Sequence, residues 1–321
     1  MLTRRGFLAG MVATGVLAPK NVSYLKASQP STAVDFEVPK HSCDSHVHYY
    51  GDPQKFPLAP EHKYTPEGTT PEEMLEMHRA LHIERIVIVT PGPYDADNST
   101  TLYAMKALGP ITRGIAVIND KTPDGDLDAM YRAGIRGARI ISGTSGPSDP
   151  AAARPIYQKA SLRLPSHNWH IQMYTNLAVV SNIKDLVHSS TVPTVFDHFG
   201  GAQAELGLRQ PGFSDLLELV RSGSAYVKVS GIYRASTKAP DYPDVAPLAK
   251  ALIEANPDRI LWGSDWPHPD SSPSAVRKPS DVMQLYPVDD GHLLNQLRIW
   301  APDPQIRQKI LVDNPARLYG Y

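Results

Sequence analysis

The stretch Cys43-Asp44-Ser45-His46-Val47-His48 has the character of a short β-strand that ends in two histidines one position apart. Successive side chains on a strand point to opposite faces, so His46 and His48 share a face. Two imidazoles on one strand face, about 7 Å apart along it, can grip one metal ion or polarise one oxygen. An isolated His-x-His is equally an ordinary polar strand end, and the rest of the chain has to decide.

Working outward, short apolar, β-branched runs alternate with helical patterns. The strand candidates are Ser42–His48, Arg85–Thr90, Thr112–Ile118, Gly137–Ile141, His170–Thr175, Thr194–Phe199, Ala225–Ser230 and Ile260–Asp265. Several are nearly continuous apolar runs, such as Ile86-Val87-Ile88-Val89, the signature of strands buried on both faces. Between them, Thr70-Pro71-Glu72-Glu73 opens a helix: Thr70 suits the N-cap, Pro71 the first turn, and the two glutamates the positive helix end. Further helices are expected over Thr100–Leu108, Gly125–Ala133, Ala151–Leu164, Leu177–His188, Phe213–Arg221, Val245–Ala255 and Pro304–Val312.

Eight strands alternating with helices in one unit predict an α/β fold, a single (β/α)8 TIM barrel over residues 39–321. The competing open doubly wound sheet would carry a glycine-rich phosphate loop after an early strand, and none is present. Two long loops, Tyr49–Thr69 and Trp266–Pro279, leave the C-terminal ends of strands, where barrel enzymes build their sites.

Other strand ends carry polar residues too. Strand 6 runs into Asp197-His198-Phe199-Gly200-Gly201, and strand 8 into Gly263-Ser264-Asp265-Trp266-Pro267-His268. Two histidines, a third histidine and an aspartate at three barrel positions form the ligand set of a mononuclear hydrolase site. Asp44 and Asp197 face away from the strand-end histidines by alternation and read as structural or as supporting the site from behind, and His268 reads as a supporting residue behind Asp265.

With these motifs in place, the chain from Ser42 to Tyr321 resembles the amidohydrolase-related superfamily, in its 2-pyrone-4,6-dicarboxylate lactonase-like branch. The resemblance also rests on Phe56-Pro57-Leu58-Ala59-Pro60 with Tyr64-Thr65-Pro66, on Arg136-Gly137-Ala138-Arg139, on Lys228-Val229-Ser230-Gly231-Ile232-Tyr233-Arg234, and on Asn314-Pro315-Ala316-Arg317-Leu318-Tyr319-Gly320. It implies a lactone hydrolase in which Asp265 is the general base. His46, His48 and His198 would surround the attacked carbonyl, through one Zn2+ ion held with Asp265 or directly as oxyanion donors in a metal-independent site. Arg139, Arg234 and Tyr64 would hold a substrate carboxylate, with Tyr174 as a further substrate contact.

The chain departs from that pattern in one place. The branch carries a further arginine shortly after strand 4, where this sequence reads Ser142-Gly143-Thr144-Ser145-Gly146-Pro147-Ser148. A missing cationic clamp of this kind is worth about 1.5–3 kcal/mol and shifts the expected substrate to a monocarboxylated or neutral lactone. Arg139 at the end of strand 4 leaves no lysine or glutamate there to bridge two metals. The alternatives are a zinc-dependent decarboxylase of an unsaturated or aromatic acid, a lactone isomerase, and, outside catalysis, an exported small-molecule binding protein.

Composition excludes other classes. The 321 residues carry a net charge of −1 with no Lys/Arg run, which argues against a nucleic-acid partner or a basic membrane surface. Cys43 is the lone cysteine, so neither a disulfide framework nor a cysteine-rich zinc site is available. Residues 1–38 read as an export signal and linker: Thr3-Arg4-Arg5-Gly6-Phe7-Leu8 leads into an apolar run to Leu17, too short for a stable membrane anchor. The paired arginines point to the twin-arginine export machinery and a periplasmic or otherwise exported location. Val16-Leu17-Ala18 and Ser31-Thr32-Ala33 are the two cleavage candidates.

Overall fold

The computed structural model describes residues 29–140, 148–165, 168–270, 278, 280–283 and 285–321. Within them lie β1 Cys43–Val47, β2 Arg85–Val89, β3 Thr112–Val117, β4 Ile135–Ile140, β5 His170–Met173, β6 Thr194–Phe196, β7 Ala225–Ser230 and β8 Ile260–Gly263. Each pairs in parallel with the next, in sequence order. The two edges meet just beyond β8: the Asp265 amide donates to the His46 carbonyl at 2.8 Å, and the His48 amide to the Trp266 carbonyl at 2.8 Å. The expected (β/α)8 barrel is formed.

The helices are α1 Pro71–Ala80, α2 Ser99–Leu108, α3 Asp124–Arg132, α4 Pro150–Arg163, α5 Leu177–Ser189, α6 Phe213–Arg221, α7 Ile232–Ala235, α8 Ala246–Ala255, α9 Asp290–Trp300, α10 Pro304–Gln308 and α11 Asn314–Tyr319. Thr70 caps α1 as its sequence predicts: its hydroxyl accepts from the Glu73 amide while Glu73 accepts from the Thr70 amide. On α6, Phe213, Leu216, Leu219 and Val220 are buried, the helical spacing that glues a helix to a sheet. Each such side chain contributes roughly 1.5–3 kcal/mol on burial.

The short α7 is absent from the helices expected from sequence, and two further helical segments differ as well. α9 was not anticipated, although Leu293, Leu294, Leu297 and Trp300 repeat at helical spacing and Asp289 caps its first turn. The helix expected over Pro304–Val312 instead runs through α10 into a π-type turn, Lys309–Asp313, and on into α11.

The barrel interior is layered. Val87, Val89, Ile115, Val195 and Leu261 form an apolar floor with Cys43, plugged by Tyr319 of α11. One inward position further along the strands, Asp197 and Lys228 replace the apolar residues. β1 carries a register shift against β2: Asp44 and Val47 pair with Ile86 and Ile88, so three residue steps on β1 oppose two on its neighbour. Such a bulge re-aims side chains, and here it lies at His46.

At the other end of the described chain, Ser31 and Thr32 donate to Asp289, and the Asp35 amide donates to Asn295, which straps residues 31–35 onto α9. The twin-arginine stretch, residues 1–28, lies outside the described residues. Among those described, no helix is long and apolar enough to cross a membrane.

The seam between β8 and β1 leaves no room for a side chain at Gly263, where an added Cβ would stand 2.8 Å from the His46 Cβ and 2.9 Å from its amide nitrogen. Gly263→Ala is expected to destabilise the fold by about 1–3 kcal/mol, the usual cost of overpacking. An unchanged chemical-denaturation midpoint would show that the seam yields freely.

Candidate active site

β6 and β8 stop one or two residues short of their polar ends. His198 and Asp265 lie beyond the strands and adopt left-handed backbone, at φ of 49° and 66°. Such conformations cost about 1–3 kcal/mol for a non-glycine residue and concentrate at functional sites. Here they turn both side chains across the barrel mouth toward β1. His46 and His48 meet them there, with their Nε2 atoms 3.4 Å apart. Asp265 Oδ1 lies 3.6 Å from His46 Nε2, 3.5 Å from His48 Nε2 and 3.9 Å from His198 Nε2. The sequence-predicted quartet is brought to one point.

The outer ring nitrogens fix the roles of the inner ones. His48 Nδ1 sits 2.8 Å from the Val89 carbonyl, which can only accept, so the proton is on Nδ1 and the Nε2 lone pair faces inward. His46 Nδ1 lies between Asp197 Oδ1 at 3.2 Å and Lys228 Nζ at 3.3 Å, so a carboxylate and an ammonium both orient its ring. His198 Nδ1 has the Ser230 hydroxyl at 3.0 Å. Burial pushes His46 well below the ordinary 6.5, lowers His48, and brings His198 down to about 4. All three are neutral at pH 7.

Asp265 is anchored by one oxygen. Its Oδ2 accepts from the Tyr233 hydroxyl at 2.6 Å and from Arg234 Nε at 2.7 Å. Burial opposes its charge, but Arg234 and His198 outweigh that and hold its carboxyl well below the usual range. Oδ1, fully buried, accepts no hydrogen bond. Asp265 Oδ1 and the lone pair of His48 Nε2 thus face each other, with the His46 and His198 Nε2 atoms alongside. That is electrostatically stable when a cation sits among them. The donor set and its spacing, His46, His48 and Asp265 with His198 alongside, fit a metal ion.

Behind the quartet lies a polar layer whose roles the sequence reading did not assign. Lys228 is fully buried, with Nζ 2.7 Å from Gln172 Oε1, 3.3 Å from Asp197 Oδ1 and 3.3 Å from His46 Nδ1. Gln172 Nε2 donates to Asp197 Oδ2 at 3.0 Å. Burial works against the Asp197 charge, but Lys228 and His46 overcome it and keep it ionised. Asp197, just past the end of β6, therefore orients His46 from across the barrel mouth, even though it faces away from His198. The signal was present: Lys228 and Ser230 are polar residues two apart in the apolar strand Tyr226-Val227-Lys228-Val229-Ser230. Asp44 braces the seam, with Oδ1 accepting from the His46 and Ser264 amides. His268 reaches Asp290, at 3.0 Å, rather than Asp265.

The remaining predicted residues stand around the quartet. Arg139 is buried, with Nε 3.8 Å from Asp197 Oδ2. Arg234 and Arg139 flank the Tyr174 ring at 5.7 and 5.9 Å, and that ring stands edge-on to His198 at 5.2 Å. Tyr64 lies close enough to both arginines for their charges to act on its phenol, although burial is the larger effect and raises it. The arginine-free segment after β4 and most of the loop after Asp270 lie outside the described residues.

A family model described as Amidohydrolase matches residues 43–321, so the chain belongs to the amidohydrolase family. It is 34% identical over 290 residues to a 4-sulfomuconolactone hydrolase of Rhizobium radiobacter, covering 90% of this chain and 93% of that one. It is 30% identical over 305 residues to a 2-pyrone-4,6-dicarboxylate hydrolase of Comamonas testosteroni, covering 92% and 94%. An apo crystal structure from Agrobacterium tumefaciens superposes with a TM-score of 0.76 at 25% identity, over 91% of this chain and 98% of that one. The protein is accordingly an enzyme of the hydrolase class with lactone hydrolases among its relatives.

The buried histidines set an acid limit. His198, at about 4, and His170, at about 3 on burial, stay neutral in the fold, whereas unfolded histidines titrate at 6.5. Their depressed values mean that the unfolded chain binds more protons between these limits, so stability is whole above about 6.5 and falls toward pH 4. Each histidine contributes up to about 1.4 kcal/mol per pH unit. Thermal unfolding of metal-free protein from pH 7 to 4 should show this decline, and a flat melting temperature would contradict it.

Proposed function

We propose that this amidohydrolase opens the ring of a lactone on a small, carboxylated molecule, with Asp265 as general base. One observation carries the reading: a buried carboxylate oxygen without a hydrogen bond, facing three neutral imidazoles beside two guanidinium groups. Its relatives named for 4-sulfomuconolactone and 2-pyrone-4,6-dicarboxylate, similar over nine-tenths of the chain, support a lactone as the substrate class.

His46, His48, His198 and Asp265 would hold a single divalent ion, with zinc the best match to a histidine and carboxylate set. Such an ion supplies Lewis acidity at the ester carbonyl. The chain supplies the rest. Asp265 Oδ1 takes a proton from the attacking water as oxygen adds to the acyl carbon. The acyl–oxygen bond of the ring then breaks, and the same proton passes from Asp265 to the departing ring oxygen. The product is a hydroxy acid or its keto tautomer.

Charge supports an anionic substrate. Beside the quartet, the buried Arg139 lies near the Asp197 carboxylate and the partly buried Arg234 pairs with Asp265, so two guanidinium groups stand at the barrel mouth. Arg139 and Arg234, with Tyr174 between them and Tyr64 nearby, are positioned to take one carboxylate. We also assign residues 1–38 to a twin-arginine export signal and linker, on the Arg4-Arg5 pair and the apolar run behind it.

Two outcomes are expected. Asp265→Asn should lower lactone turnover about 10²–10⁴-fold in pH-stat assays while the protein stays folded, and near-parental activity would remove Asp265 from the mechanism. Purified protein should carry about one zinc per chain, lost with activity on chelation; carbon dioxide release in place of acid release would favour the decarboxylase instead. Separately, replacing Arg4 and Arg5 together by lysine should leave the full chain in the cytoplasmic fraction, whereas unaltered export would refute the twin-arginine route.

A further inference from the structure

Asp265 can serve the site only while its carboxylate plane is held so that one oxygen faces the three imidazoles. Oδ1 has to face the histidines, and the carboxylate can turn about its own axis unless something pins the other oxygen. Two donors hold Oδ2, Arg234 and Tyr233, both from α7, the single helical turn that follows β7. They differ in what else they do. Arg234 is partly exposed and flanks Tyr174, where the substrate carboxylate is expected, so its charge is shared with the ligand.

Tyr233 is caged. Its ring is buried and lies 4.6 Å from the Tyr286 ring at a tilt of 39°. The His268 ring meets it edge-on at 5.6 Å and 89°. His268 is fixed in turn by Asp290, 3.0 Å away in the first turn of α9. Behind the pair, Gly231 lets the turn approach closely: it has a φ of +54°, and a Cβ there would stand 2.7 Å from His198 Nδ1 and 3.0 Å from Asp265 Oδ2. The phenol therefore has one place to go, and that place is Asp265 Oδ2.

We propose that Tyr233 is a positioning residue that divides the Asp265 carboxylate into an anchored oxygen and a working one, and that it keeps this division while Arg234 engages the substrate. His268 and Asp290 brace it from behind. The inference rests on Asp265 being the working carboxylate of the proposed hydrolysis.

Tyr233→Phe is the test, because the ring and its cage are kept and one hydroxyl is removed. On a lactone that the parent enzyme opens, kcat should fall about 10–100-fold, the usual effect of losing a partner that orients a reacting group, with KM nearly unchanged. In a crystal structure of the variant, the Asp265 carboxylate should be turned, with Oδ1 withdrawn from the three Nε2 atoms. An unturned carboxylate with parental kcat would show that Arg234 alone suffices and overturn the proposal. A raised KM with parental kcat would make Tyr233 a substrate contact and overturn it as well. If the parent opens no lactone, the proposed function fails by itself, and the orientation of Asp265 in the variant still decides the role of Tyr233.

Discussion

Four polar atoms crowd the mouth of this barrel. Three imidazole nitrogens and a carboxylate oxygen face one small volume from which water is largely excluded, and there the His48 lone pair and Asp265 Oδ1 repel each other. In such surroundings an unmatched charge is far more costly than in bulk water, so the arrangement is stable with a cation, or the charge of a reacting group, among its members. Nearly every other feature of the site keeps those atoms in place. The bulge on β1, the left-handed residues after β6 and β8, and the glycine at the seam each bring a side chain inward at some cost to the backbone. The continuous apolar core around the barrel, from Met74 on α1 to Leu311 near the C-terminus, is large enough to offset that cost.

Each site group is held from behind by another polar group. His48 leans on a backbone carbonyl of β2, His46 on Asp197, His198 on Ser230, and Asp265 on Tyr233 and Arg234. Asp197 in turn needs Lys228, because a buried carboxylate without a partner would take up a proton and lose its hold on His46. A buried ion pair of this sort adds little net stability, since desolvation consumes most of the attraction. Its value lies in orientation.

The rim is built from segments far apart in sequence. The loop after β1 carries Tyr64 and is stitched to the segment before α9, where the Met283 amide donates to the Thr65 carbonyl at 2.8 Å. That segment supplies Tyr286 to the cage around Tyr233, and α9 supplies Asp290. Residues 31 and 32 tie down the N-terminus of the same helix through Asp289. Chain before the barrel, the β1 loop and α9 thus form one continuous support on the side of Asp265.

The sequence alone determined the barrel and the four residues that meet at its mouth. Alternating apolar runs and helical patterns are local properties, and His46, His48, His198 and Asp265 stand next to glycine, proline or strand ends, which mark them without any tertiary information. The Thr70 cap was legible for the same reason, since its partner is three residues away. Tertiary structure decided the rest. Lys228 and Asp197 belong to different strands, and only closure of the barrel brings them together beside His46. Tyr233 is one aromatic among many until the turn after β7 folds its hydroxyl onto Asp265. α9 became a brace because Asp290 meets His268 across 22 positions of chain. Motifs record which residues can react. Which of their atoms face one another depends on contacts between strands, and a linear pattern carries no distances across the barrel.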